Sequence, residues 1–209
     1  MNYELDIIIG DEELPILRAA GLDITIAKPV GPGPPSAIWL TFDPFEANKV
    51  QWVENYGIYA SNQSNMGHGT VISKISDVFP ATDGTNYTFD SSATFNVAKS
   101  GQKPGKGVFA VENQMPYAQY PALTFGLEQK ATVQGKNIDP SPINAAIVPA
   151  NFDVTFQPIV TVFVWLQAKF TQGTVITEVF DNWVPVQFTG STTKQTLKYE
   201  PNAGKFVIM

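Results

Sequence analysis

The stretch FDVTFQPIVTVFVWLQA, residues 152–168, decides the fold class. Phe152, Val154 and Phe156 alternate with Asp153, Thr155 and Gln157, the period-two pattern of a strand with one dry face and one wet face. From Ile159 to Leu166 both alternating faces are apolar apart from Thr161, which predicts a central strand covered by protein on each side. Val162, Val164 and Leu166 are expected in the main core.

Strand patterns recur outward from this stretch. Tyr3 to Ile9 alternates, as do Leu22, Ile24 and Ile26 with Asp23 and Thr25. Further strands are read at Ala37 to Phe42, Lys49 to Ser61, Thr70 to Ser76, Tyr87 to Val97, Val108 to Glu112, Ala122 to Val133, Thr174 to Phe180, Val184 to Phe188, Gln195 to Tyr199 and Lys205 to Ile208. One short helix is expected after Gly10, with Leu14 and Leu17 on one side, Gly21 as the stop and Pro15 limiting its length. The run PVGPGPPS, residues 29–36, forbids regular pairing and reads as a crossover loop between sheets. The turn signals Asp83-Gly84 and GQKPGKG, residues 101–107, separate other strands. The fold class is therefore all-β: one antiparallel β-sandwich domain over residues 1–209, jelly-roll or Greek-key like, with one short N-terminal helix and a barrel as the alternative.

Composition agrees. The 14 Phe, 7 Tyr and 4 Trp favour sheet, and the charged fraction of 15% is well below the roughly 25% typical of globular chains. A net charge of −6 repels a phosphate backbone, so nucleic acid is not an expected partner. The N-terminus has acids where a secretory signal has positive charge, and no apolar run is long enough for a transmembrane helix. With no cysteine there are no disulfides and no thiolate ligands, and either a cytoplasmic location or non-classical release is compatible.

Catalytic chemistry finds few residues to use. His68 is the only histidine, and Gly67-His68-Gly69 reads as a flexible turn, which disfavours both a zinc site and a serine triad. The run 101–107 lacks the spacing of a phosphate loop. Glu54, Glu112, Glu128 and Glu178 are the candidates for a glycosidase carboxylate pair, although strand parity reads Glu112 and Glu128 as solvated. No catalytic residue, metal site or cofactor is assigned.

The loop QMPYAQYP, residues 114–121, is the most suggestive segment, because two tyrosines and two amides sit between prolines at a strand end. Tyr117, Gln119 and Tyr120, together with Tyr56, Tyr59 and Trp183, are candidate ligand-binding residues, since such rings stack on sugars or settle at a lipid interface. Lys103 and Lys106 could meet an anionic headgroup or sugar. In composition the chain resembles lectins and β-rich cytolysins, without a shared motif. The expectation is a non-catalytic module recognising a carbohydrate or a lipid surface, toxin- or defence-like. Self-assembly into an oligomer, fibre or storage body, or hydrolysis by paired carboxylates, are the alternatives.

Overall fold

A computed structural model of the chain describes residues 1–99, 103–168, 170–178 and 181–209. In chain order the elements are β1 (Asn2–Ile8), α1 (Glu13–Ala19), β2 (Leu22–Ala27), β3 (Ile38–Phe42), β4 (Ala47–Val53) and β5 (Tyr56–Ser61). Then come β6 (Ser76–Val78), β7 (Thr85–Phe89), β8 (Phe95–Val97), β9 (Phe109–Asn113), β10 (Ala122–Val133) and β11 (Lys136–Pro142). The remainder are β12 (Ala146–Pro149), β13 (Asp153–Phe156), β14 (Thr161–Ala168), β15 (Val184–Gln187), β16 (Lys194–Glu200) and β17 (Lys205–Ile208).

These strands form a nine-stranded sheet in the order β17-β16-β1-β4-β10-β5-β6, with β11 and β12 also on β10, and two four-stranded sheets, β13-β9-β7-β8 and β15-β14-β2-β3. The architecture is sandwich-like and mainly antiparallel, and the sheets do not close into a barrel. One buried apolar cluster draws on all three sheets, for example Leu5, Phe125 and Leu127 from the first, Phe89 and Val111 from the second, and Ile26 and Val164 from the third. Val162, Val164 and Leu166 lie in it as expected. The opposite face of β14 is covered too, by a smaller cluster in which Trp165 packs with Ile38 and Trp183, so the two-sided apolar pattern does mark a strand with neighbours on both edges.

Several sequence expectations are corrected. The loop 29–36 connects β2 to β3, which are antiparallel neighbours in one sheet, so it is a long hairpin connection and not a crossover between sheets. Lys49 to Ser61 is two strands, and Tyr87 to Val97 is a hairpin whose turn is held by Asp90, which accepts from Ser92 N at 2.9 Å. Thr70 to Ser76 contributes an isolated bridge at Val71 and, at Ser76, the first residue of β6, and Thr174 to Phe180 contributes bridges at Thr174 and Val175, while residues 179 and 180 lie outside the described ones. Strands β11 and β12 were not expected. Helix α1 begins at Glu13, before Pro15, and buries Leu14 and Leu17.

Strand β10 organises the large sheet. Along one edge its pairing jumps from Gln51 opposite Thr132 to Tyr56 opposite Gln129, so β4 and β5 are two halves of one edge with a break at residues 53–55. Its other edge is shared by β12 and β11. Midway along, a Cβ at Gly126 would lie 2.2 Å from Asn144 O and 2.7 Å from the Tyr59 ring. Only glycine lets that second edge approach.

Candidate functional site

The aromatic loop leaves the C-terminal end of β9 and is anchored by the buried Asn113. Its backbone N–H donates to Phe152 O at 2.8 Å and its carbonyl accepts from Asn151 N at 2.7 Å. Its side chain donates to Val148 O at 2.9 Å and accepts from Met115 N at 3.1 Å. With Ala150 N donating to Pro121 O at 2.9 Å, these bonds tie the loop 114–121 to the turn 149–152 and make one corner of the molecule. Asn151 completes the turn in the left-handed region, at φ 65°.

At this corner Tyr117 is 68% and Phe152 62% exposed. Gln114, Gln119 and Asn151 are exposed in the same two segments, and Tyr120 is half-buried against the core. Phe152 is thereby moved from its expected place on the dry face of an outer strand to the surface.

The other candidate rings are not at this corner's surface. Tyr56 and Tyr59 are buried on β5, and Trp183 is buried with its ring 5.0 Å from that of Trp165. Tyr56 and Tyr59 are corrected from ligand contacts to interior packing because β5 is covered on both faces, and Trp183 because it packs in the smaller cluster with Trp165 and Ile38. Lys103 and Lys106 are exposed in the turn before β9, where Gly107 N donates to Asp83 at 2.6 Å. They stand at the opposite end of β9 from Tyr117, about 16 Å away along five strand residues. Rings and lysines therefore form two surfaces. Gly101 and Gln102 of that run lie outside the described residues.

A second cluster fills the break between β4 and β5. Lys28, at the end of β2, is fully buried, and its Nζ donates to Glu54 Oε1 at 2.8 Å and Gln129 Oε1 at 2.8 Å and lies 3.2 Å from Tyr56 Oη. The rings of Trp39, Trp52 and Tyr56 surround the ammonium at 5.2 to 5.6 Å. Trp39 is the extra residue of a β-bulge in β3, which turns it onto the same face as Leu40. Glu54 accepts further from Trp52 Nε1 at 2.7 Å and from Tyr56 Oη. Burial alone would raise its pKa, but Lys28 and these donors hold it below the ordinary carboxylate range, while burial pushes the Lys28 ammonium down and the Tyr56 hydroxyl up. Gln129 Nε2 donates to Val53 O at 2.8 Å, satisfying the backbone at the break.

Glu128, next along β10, points to the other face. It is fully buried, which corrects the reading of a solvated acid, because Phe79 and Lys74 cover it. Lys74 donates to Oε2, Oε1 has no hydrogen-bond partner among the described residues, and burial raises the carboxyl pKa. Gly57 makes room for it, since a Cβ there would lie 2.7 Å from Oε1. Glu54 and Glu128 each have their own lysine and lie on opposite faces of the sheet, so they do not face one cleft. An open groove of about 440 Å³ runs beside Lys130 and Phe79 and is lined by Asn55, Asn137 and Asp139. His68 receives Thr177 N on Nδ1 at 3.4 Å and stacks edge-on with Phe170. Among the described residues no three His, Asp or Glu side chains are placed to hold a metal ion, and no helix is long and apolar enough to cross a membrane.

The sequence missed Asn113, Lys28, Gln129 and the groove. Asn113 had a local signal, a polar residue ending an apolar strand before an aromatic loop. Lys28 and Gln129 had none, because their partners are 26 and 101 residues away. Comparison with known proteins finds no matching family model, no matching curated protein and no matching solved structure.

Proposed function

We propose that the chain is a non-catalytic carbohydrate-binding module whose contact surface is the corner formed by residues 114–121 and 149–152. The observation that carries this reading is the pair of exposed rings, Tyr117 and Phe152, on two segments fixed to each other through Asn113. A ring face offers apolar area to the C–H face of a pyranose, and the neighbouring exposed amides of Gln114, Gln119 and Asn151 can donate to and accept from its hydroxyls. Because the corner is pre-fixed, little ordering entropy opposes binding. The lysine turn at the far end of β9 cannot reach the same ligand, which favours a neutral sugar over an anionic headgroup.

The test is a broad glycan array followed by calorimetry on the best ligand. Tyr117→Ala combined with Phe152→Ala is expected to weaken binding at least about tenfold while leaving the unfolding midpoint nearly unchanged, as loss of two stacked rings implies. Silence on the array, or binding only to lipid vesicles, counts against the reading. Binding that survives the double substitution but is lost in Asn137→Ala would move the site to the groove.

Self-assembly is the second reading, and β17 is what favours it. This strand ends the large sheet and exposes Val207 and Ile208. Light scattering should show concentration-dependent dimers that Val207→Lys abolishes; a monomer at every concentration removes it.

A further inference from the structure

We infer that Lys28 and Gln129 are the reactants of an internal amide cross-link, formed by attack of the lysine amine on the Gln129 carboxamide with Glu54 as the base. Lys28 Nζ lies 2.8 Å from Gln129 Oε1, so the carboxamide carbon, one C=O bond of about 1.2 Å further on, is within about 4 Å of the nucleophile. That is close to the separation of a near-attack pair, about 3 to 3.5 Å. Glu54 Oε1 receives the same ammonium at 2.8 Å and is the group placed to take its proton. Burial favours the neutral amine, as the lowered lysine pKa reflects. The rings of Trp39, Trp52 and Tyr56 exclude water that would otherwise compete for the carbonyl. Glu54 itself is a poor electrophile, since an ionised carboxylate accepting from Lys28, Trp52 and Tyr56 does not expel oxygen.

The step balances without any added reagent. Glu54 takes a proton from the Lys28 ammonium, and the amine lone pair forms the bond to Cδ of Gln129. The attacking nitrogen then gives up a second proton, the Cδ–Nε2 bond breaks, and Nε2 leaves with that proton as ammonia. Ammonia takes the proton held on Glu54 and departs as ammonium, returning Glu54 to its carboxylate. Lys28 follows β2 in a four-stranded sheet and Gln129 lies on β10 of the nine-stranded sheet, so the bond would tie two of the three sheets together in a chain with no cysteine.

Intact-mass measurement of the purified, denatured full chain, after prolonged incubation at mildly alkaline pH, tests this directly. The expected mass is lower than that of the sequence by one ammonia, with a branched peptide joining the segments that carry Lys28 and Gln129, and Lys28→Met restores the sequence mass. Glu54→Gln, where it folds by circular dichroism, should retain the uncondensed mass. A wild-type mass equal to that of the sequence overturns the inference. So does a deficit of one water mapped to Lys28 and Glu54, or an ammonia loss mapped to any asparagine.

Discussion

The corner at the end of β9 and the break between β4 and β5 are built from the same kinds of residue, aromatic rings arranged about one buried amide, and they face opposite ways. At the corner, Asn113 closes all its hydrogen bonds on backbone groups, two through its main chain and two through its side chain. Tyr120 packs partly against the core, but Tyr117 and Phe152 stay in solvent. At the break, Gln129 gives one end of its amide to Val53 O and the other to the Lys28 ammonium, a charge that needs a counter-ion and shielding from the low-dielectric core. Trp39, Trp52 and Tyr56 turn in to supply that shielding. Aromatic content alone therefore does not locate a binding surface; what the anchoring amide is bonded to decides whether the rings face out or in.

The largest effect is expected at the charged centre. Glu54→Ala leaves Lys28 buried without its carboxylate and is expected to cost about 3 to 5 kcal/mol, read as a fall in the urea midpoint. If the loss is under about 1 kcal/mol, comparable with an exposed pair, the break is not organised by charge. Asn113→Ala comes next. It removes two side-chain bonds and leaves Val148 O and Met115 N buried or unpaired, so a loss of about 1 to 3 kcal/mol is expected. Amide exchange should quicken at residues 114–121 and 149–152 and stay unchanged around Lys28. Exchange quickening throughout would show that the corner is not an independent unit.

The smallest effect belongs to Glu128, which lies on β10 beside Gln129 but, among the described residues, has only one of its two oxygens bonded. Its carboxyl pKa is raised in the folded chain by burial, so the folded state holds this proton more tightly than the unfolded state does. The resulting stabilisation is present at low pH and is lost as pH rises through the ordinary carboxylate range toward the raised value. Glu128→Gln should therefore be more stable than the parent by about 1 kcal/mol at neutral pH, with the gap closing below about pH 4. A gap that widens on acidification would mean that Lys74 dominates and the pKa is lowered.

Local pattern made the strands legible wherever burial follows the pleat, as in Tyr3, Leu5 and Ile7 or Val162 and Val164. It failed where pairing partners are distant. Nothing near Glu54 indicates that β4 and β5 share one edge of β10, and nothing near Glu128 indicates that Phe79 and Lys74 close over it. Strands β11 and β12 escaped notice because Pro140, Pro142 and Pro149 demote such runs, yet all three sit in strands beside β10. At the candidate site, the loop 114–121 was readable from its prolines and tyrosines. Tyr56, Tyr59 and Trp183 were misplaced because a ring at a strand end and a ring in a strand look alike until the opposing layer is known. Lys103 and Lys106 carry no local signal that β9 separates them from the tyrosines.

Backbone chemical shifts of isotopically labelled protein, followed while the best glycan from the array is added, test most directly whether the corner is where this chain meets its partner. Perturbations concentrated at residues 114–120 and 150–153, with Lys103, Lys106, Asn137 and Asp139 unmoved, are the predicted result. Shifts confined to Asn137 and Asp139, or a spectrum that no sugar changes, would contradict it.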